Sequence, residues 1–223
     1  MIILLPPSEG KAPGGRGAWV PESGKFGTIL GEQRQEVMTE LPGASDKTLK
    51  IQGALALHAR AANNALLGSP ALPARERYVG VVYQGLDYAS LSVEERRVAN
   101  SSIHIVSGLG GLFRFNDPVP DYRAPIDARL PQLGTLAALW RPHLDDVLAS
   151  LAKRHDIVDL LPNAHRAAVS PQGRWYRVDV KNRAGQGGHA AKFAKGRLAR
   201  WLLSHSIDEL DSWRDNEWRA IRS

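Results

Sequence analysis

The chain has no cysteine, which removes disulfides, thiolate nucleophiles, cysteine-ligated zinc and cysteine-ligated iron–sulfur clusters together. It also lacks any apolar run near the ~20 residues that span a bilayer. Met1 to Leu5 is apolar, but it has no basic leader and is broken at once by Pro6 and Pro7, so it does not read as a signal peptide. His143 and Asp146 form an i,i+3 pair without further ligands around them, and His143, His155 and His165 are scattered. No metal and no cofactor is therefore expected, and His58 reads as a surface or partly buried histidine. The expectation is a cytoplasmic protein with no membrane contact and no indicated protein partner.

What is present is an ordinary globular composition, 43% hydrophobic and 23% charged over 223 residues, enough chain for one domain, 1–223, with a sizeable core. The net charge of +6 and the pI near 9.8 point to an anionic partner such as DNA, another nucleic acid or a nucleotide. The competing explanation is a basic protein from a basic proteome, and only clustering of the charge separates the two.

Hydrophobic periodicity predicts strands at 2–5, 79–83, 103–106, 156–161 and 175–181. It predicts helices over 32–41, 45–67, 92–99, 135–155 and 189–203, with a last helix capped by Ser206 and Glu209 in which Leu210, Trp213 and Trp218 close the core. Strands interleaved with helices indicate an α/β (α+β) fold with a mixed central β-sheet flanked by helices. Small and polar residues follow the C-terminal ends of the predicted strands, where open α/β sheets bind ligands.

Three of those strand ends carry candidate chemistry. After the first comes Pro-Pro-Ser-Glu-Gly-Lys, with Ser8 and Lys11 three apart. A P-loop is rejected because Ala12 follows Gly10-Lys11 and Pro13 opposes a helix. A Ser-x-x-Lys nucleophile and base lacks its partner motifs. An anion-holding loop charged by Lys11 remains, beside an ordinary surface loop. After 79–83 lies Tyr83-Gln84-Gly85-Leu86. After 103–106 come Ser107, Gly108, Leu109, Gly110 and Gly111, a turn able to bring backbone amides to a ligand, and then Arg114, Asp117, Asp121, Tyr122 and Arg123 among prolines. Phe113 stands where a dinucleotide fingerprint needs glycine, and the strand before the turn does not suit a helix-hairpin-helix module. Near the C-terminus a glycine-rich loop opens a helix whose Lys192, Lys195 and Arg200 share one face, suited to an anion or to plain solvation.

Taken in order, Ser8 to Lys11, Tyr83-Gln84-Gly85-Leu86, Ser107-Gly108-Leu109 with Gly111 and Arg114, then Asp117, Tyr122-Arg123 and Lys192 to Arg200 resemble the bacterial peroxide stress protein YaaA family, from residue 2 to about 204. The chain departs from that family's pattern at Gly110, where an aromatic is usual, and at Phe115 and Asp121, where prolines are. Ala164 and His165 replace a further acid and tyrosine. The resemblance implies a cytoplasmic protein that limits hydrogen peroxide damage and is tied to lower free iron. It also implies DNA binding through a positive cleft and a helix-hairpin-helix-like element.

Two function classes follow. In the first, a positively charged cleft binds single- or double-stranded DNA: Lys11, Arg114, Arg123, Lys192, Lys195 and Arg200 contact phosphates, the amides of Gly108, Gly110 and Gly111 assist, and Tyr83 or Tyr122 stacks on a base. In the second, the same cleft is the active site of an enzyme for a nucleotide or base-containing small molecule. There Lys11 and Arg123 hold an anionic group, Asp117 or Tyr122 acts as acid or base, and Ser8 orients the substrate.

Overall fold

A computed structural model describes residues 1–222. The chain runs β1 (Ile2–Leu5), α1 (Gly27–Glu40), α2 (Asp46–Leu49), α3 (Gly53–Asn64), β2 (Leu72–Pro73), α4 (Ala74–Arg77), α5 (Val81–Leu86), α6 (Val93–Ser102), β3 (Ile103–Ser107), β4 (Gly111–Arg114) and β5 (Pro118–Val119). It continues through β6 (Arg129–Leu130), β7 (Gly134–Thr135), α7 (Leu136–Ala152), β8 (Ile157–Asp159), α8 (Asn163–Arg166), β9 (Trp175–Lys181), α9 (Lys192–Trp201), β10 (Arg214–Asp215) and β11 (Trp218–Arg222). Seven strands form one mixed sheet in the order β10-β11-β9-β8-β1-β3-β4, flanked by helices. β9, β8, β1 and β3 are parallel to one another, and the outer pairings are antiparallel.

β1 lies at the centre because its four residues, Ile-Ile-Leu-Leu, have apolar side chains for both faces, and all four are buried. Its neighbours β3 and β8 lie on opposite sides of it in the sheet: the chain goes first to β3 at 103 on one side and then crosses to β8 at 157 on the other, so the strand order reverses at β1. Such a switch point opens a crevice beyond the C-terminal ends of the strands. The segments at that edge are Pro6–Lys11 after β1, the turn 108–110 after β3, Leu160–Arg166 after β8 and Asn182–Gly188 after β9.

Four local expectations are corrected. Val79 to Tyr83 is not a strand: Val81–Leu86 is helical and packs on α9. The contact works because both helices present glycine. A Cβ on Gly85 would lie 2.1 Å from the carbonyl oxygen of Phe193, and one on Gly196 2.0 Å from that of Val82. Tertiary packing overrides the β-branched propensity of the segment. The single helix expected over 45–67 is two, because Lys50 takes a left-handed conformation (φ 55°) and separates α2 from α3. Helix, short turn, helix is thus found here, whereas the glycine turn at 108–110 joins the antiparallel strands β3 and β4. After a 3-10 turn at Ile207–Ser212, the expected last helix gives way to the hairpin β10–β11, turned at left-handed Asn216 and paired to β9. No helix among the described residues is long and apolar enough to cross a membrane.

Candidate functional site

The crevice beyond β1 is divided into three neighbouring cavities. One of about 220 Å³ is lined by Ser8, Lys11, Lys50, Tyr122, Asp127 and His165, among others. A second, of about 390 Å³, shares Glu9, Lys11, Tyr122 and Arg123 with it and adds His58 and Asp121. The third and largest, about 610 Å³, lies beyond Pro162 and is walled by Pro6, Leu161, Arg166, Asp179, Lys192 and Lys195. A cavity of this size suits a small organic ligand.

Lys11 is built in from below. Its Nζ donates to the carbonyls of Ser8 (3.2 Å) and Glu9 (3.4 Å) and sits 4.3 Å from the centre of the Tyr122 ring. Burial lowers its pKa to about 8, against the opposing pull of Asp121 and with Arg123 and Arg77 adding to the decrease. Tyr122 is held in turn by a buried chain of hydroxyls, with its OH 2.7 Å from Ser107 Oγ and 2.9 Å from Tyr78 OH. Burial raises its pKa to about 12, so the phenol stays protonated near neutral pH. Arg123 is a clamp: Nε donates to Leu49 O (2.9 Å), and Nη2 donates to Lys50 O (3.2 Å) and to Glu9 Oε1 (3.1 Å). It ties the α2–α3 turn to the loop after β1. Arg123 also depresses the Glu9 pKa, chiefly through that hydrogen bond and despite partial burial.

On the other side, Arg166 is committed to two carboxylates, Asp159 Oδ2 at 3.2 Å and Asp179 Oδ1 at 3.1 Å. Lys195 has no such partner. Its pKa too is lowered to about 8, first by burial and then by Arg166, with Asp179 and Asp159 opposing. Among the described residues, Lys11, Lys181, Lys192 and Lys195 form no ion pair, although the surrounding arginines do. His165 lies between the two groups of lysines, its Nδ1 buried without a hydrogen-bond partner, and burial lowers its pKa to about 4.

Several residues expected at the site lie elsewhere. The glycine turn faces inward: Gly108 O accepts from Trp140 Nε1 (2.8 Å), and Gly110 O accepts from buried Arg34 (3.0 Å). The amides of Leu109 and Gly110 donate to Ser107 Oγ. A Cβ at Gly111 would fall 2.6 Å from the Trp140 ring. These glycines make a tight packed turn and offer no amide nest to a phosphate. Arg114 sits on β4 at the opposite edge of the sheet, beside Lys25, His104 and His155 in a separate cavity of about 420 Å³. Asp117 caps the backbone there, accepting from the amides of Arg114 (2.9 Å) and Lys25 (3.1 Å). Burial raises its pKa, but it does not face the crevice residues proposed as its partners in catalysis. Tyr83 is buried, donating to Pro6 O (2.7 Å) and stacked against Tyr78 and Phe115, so neither ring face is open to a base. Arg200 braces the Asp87–Ser90 turn, with Nη1 2.6 Å from Ser90 Oγ. The structure thus gathers Ser8, Lys11, Tyr122, Arg123, Lys192 and Lys195 and separates the rest. It adds Glu9, His165, Arg166 and Lys181, for which the only sequence signal was a position at or just beyond a strand end. Among the described residues no group of three His, Asp or Glu side chains could hold a metal ion.

Comparison with known proteins identifies relatives along most of the chain. A UPF0246 protein of Streptomyces coelicolor is 38% identical over 92% of this chain and 83% of its own. UPF0246 proteins of Corynebacterium efficiens and Corynebacterium glutamicum are 33% and 32% identical, over 92% and 91% of this chain and 85% and 84% of theirs. Residues 1–220 match the family described as peroxide stress protein YaaA. The chain belongs to the peroxide stress protein YaaA family.

Proposed function

We propose that this peroxide stress protein acts by binding nucleic acid, DNA first among the candidates, across the C-terminal edge of its sheet. The observation that carries the reading is the set of four lysines there, Lys11, Lys181, Lys192 and Lys195, without ion-pair partners among the described residues. Lys11, Lys181 and Lys195 are half-buried and Lys192 is exposed; a half-buried cation without a counter-ion is costly, and a phosphate supplied by a ligand removes the cost. Arg123, whose fork is shared with the exposed Glu9, supplies a fifth contact. A cytoplasmic location belongs to the same proposal.

A second reading is favoured by the division of the crevice into separate, half-open cavities. There a nucleotide or other base-containing small molecule is the substrate, Lys11 or Lys195 serves as base, and Ser8 orients it. Tyr122 suits this role poorly, since its hydroxyl is occupied and its pKa is raised. Titrating mononucleotide and oligonucleotides of increasing length separates the two. The groove predicts affinity that climbs with length until the edge is covered; tight binding of a mononucleotide with no gain from a longer strand would overturn it.

A further inference from the structure

The largest cavity contains two lysines in different surroundings, one helical turn apart on α9. Lys192 is exposed at the rim, and no hydrogen bond or ion pair fixes it among the described residues. Lys195 is half-buried, in a cavity that Pro6, Leu161 and Val180 also line. The two carboxylates that act on its charge, Asp179 and Asp159, are both paired with Arg166. An i,i+3 pair places the two Cβ atoms roughly 5–6 Å apart. The pair therefore offers a hydrated ammonium, suited to phosphate, beside a desolvated amine with no hydrogen-bond acceptor and no ion-pair partner among the described residues. A ligand that satisfies both carries a phosphate and an electrophilic carbonyl a few bonds apart.

We propose that Lys195 forms an imine with a phosphorylated sugar aldehyde while Lys192 holds the adjacent phosphate. In a nucleic acid this chemistry arises where a sugar has lost its base, so the inference rests on the nucleic-acid reading above. In a free metabolite it arises in an aldose phosphate. The lysine nitrogen adds to the carbonyl carbon, the carbonyl oxygen takes up two protons, one lost by the amine and one from solvent, and departs as water, and the nitrogen retains its other proton as the iminium. One neutral amine, one aldehyde and one proton become one iminium and one water, and no oxidant or reductant is consumed. Desolvation prepares the amine for the addition. With a pKa of about 8 in place of 10.5, its neutral fraction at pH 7 is about 300 times that of an ordinary lysine. The cavity, at about 610 Å³, has room for a sugar and its phosphates.

The experiment is reductive trapping. The full chain is mixed with an oligonucleotide containing one abasic sugar, with the same oligonucleotide after reduction of its aldehyde, or with deoxyribose 5-phosphate, and each mixture is treated with cyanoborohydride and mapped by peptide mass spectrometry. The expected result is a single adduct on Lys195 with the aldehydic oligonucleotide and none with the reduced one. Lys195→Arg, which keeps the charge but forms no imine, should lower the trapped fraction of bound oligonucleotide more than tenfold. Adducts spread over exposed lysines, an adduct on Lys11 instead, or no adduct although the reduced oligonucleotide binds, would each overturn the proposal. An adduct on Lys195 with deoxyribose 5-phosphate alone, without oligonucleotide binding, supports the imine and overturns the nucleic-acid reading.

Discussion

Arg34 shows how much of the fold rests on one buried charge. The residue is fully buried. Its Nε donates to Gly110 O (3.0 Å), Nη2 to Leu112 O (3.0 Å), and Nη1 to Pro21 O (2.9 Å) and Ser23 O (2.7 Å). The guanidinium also lies 4.8 Å from the centre of the Phe113 ring. Burial lowers its pKa to about 10, opposed by Asp117 and Glu22, so it remains charged. Arg34→Met keeps the apolar stem and strands up to four carbonyls. Each orphaned buried acceptor costs roughly 1–3 kcal/mol, and relaxation with water entry recovers part of that, so the net loss should be about 4 kcal/mol. With a urea m-value of about 2 kcal/mol/M, the unfolding midpoint should fall by about 2 M. Arg34→Lys, which keeps the charge but reaches fewer carbonyls, should fall between the two. Equilibrium unfolding by tryptophan fluorescence measures this. A midpoint shift below 0.5 M for Arg34→Met, roughly 1 kcal/mol by the same m-value, would show that the loop 21–23 and the glycine turn hold together without it.

The helix pair α5–α9 should be as sensitive: Gly196→Ala forces a methyl against the Val82 carbonyl and should cost about 3 kcal/mol, and a thermal midpoint equal to that of the wild type would refute the close contact. His104 is buried and its pKa is lowered to about 4, mainly by desolvation, against 6.5 unfolded. Because the unfolded chain binds the extra proton, stability is fully present above about pH 6.5 and is lost as pH falls towards 4, by about 3 kcal/mol. His104→Gln should flatten that slope in urea unfolding between pH 7 and 4.5, and an unchanged slope argues against it. Tyr122→Phe removes the hydroxyl shared by Ser107 and Tyr78 and should cost about 1–2 kcal/mol, read as a fall in the urea midpoint; no change would mean that the buried hydroxyls satisfy each other without it.

The sheet was legible where a strand is buried on both faces, as β1, β3 and β8 are, and where its residues alternate, as in β9. The capping box of α6 could be read from Ser92 and Glu95. Val79 to Tyr83 was misread because its helical state depends on Gly196, more than a hundred residues away. β10 and β11 were missed because their turn uses Asn216 without glycine, and pairing with β9 is non-local. Part of the candidate site was legible for a related reason: Ser8, Lys11, Tyr122, Arg123, Lys192 and Lys195 lie at or near one edge of the sheet, and their positions after predicted strands or on the C-terminal helix indicate that. Arg114 and the glycine turn were misplaced because a polar loop after a strand looks the same whichever way its side chains face. Arg34 and Trp140 decide the direction for the turn, and neither signals its partner in sequence. His165 and Arg166 follow β8 in a short polar run, and only the geometry places them between the lysines.

The most direct test of the central claim is the salt dependence of oligonucleotide binding. With about five phosphates engaged, affinity should fall by roughly 500-fold between about 50 and 200 mM salt. Replacing Lys11 and Lys195 together by methionine should reduce the slope of log affinity against log salt by about 2. Replacing Lys25 and Arg114, at the opposite edge, should leave it unchanged. Binding that ignores salt, or a slope lost with Lys25 and Arg114 but kept without Lys11 and Lys195, would contradict the assignment of the phosphate-binding edge.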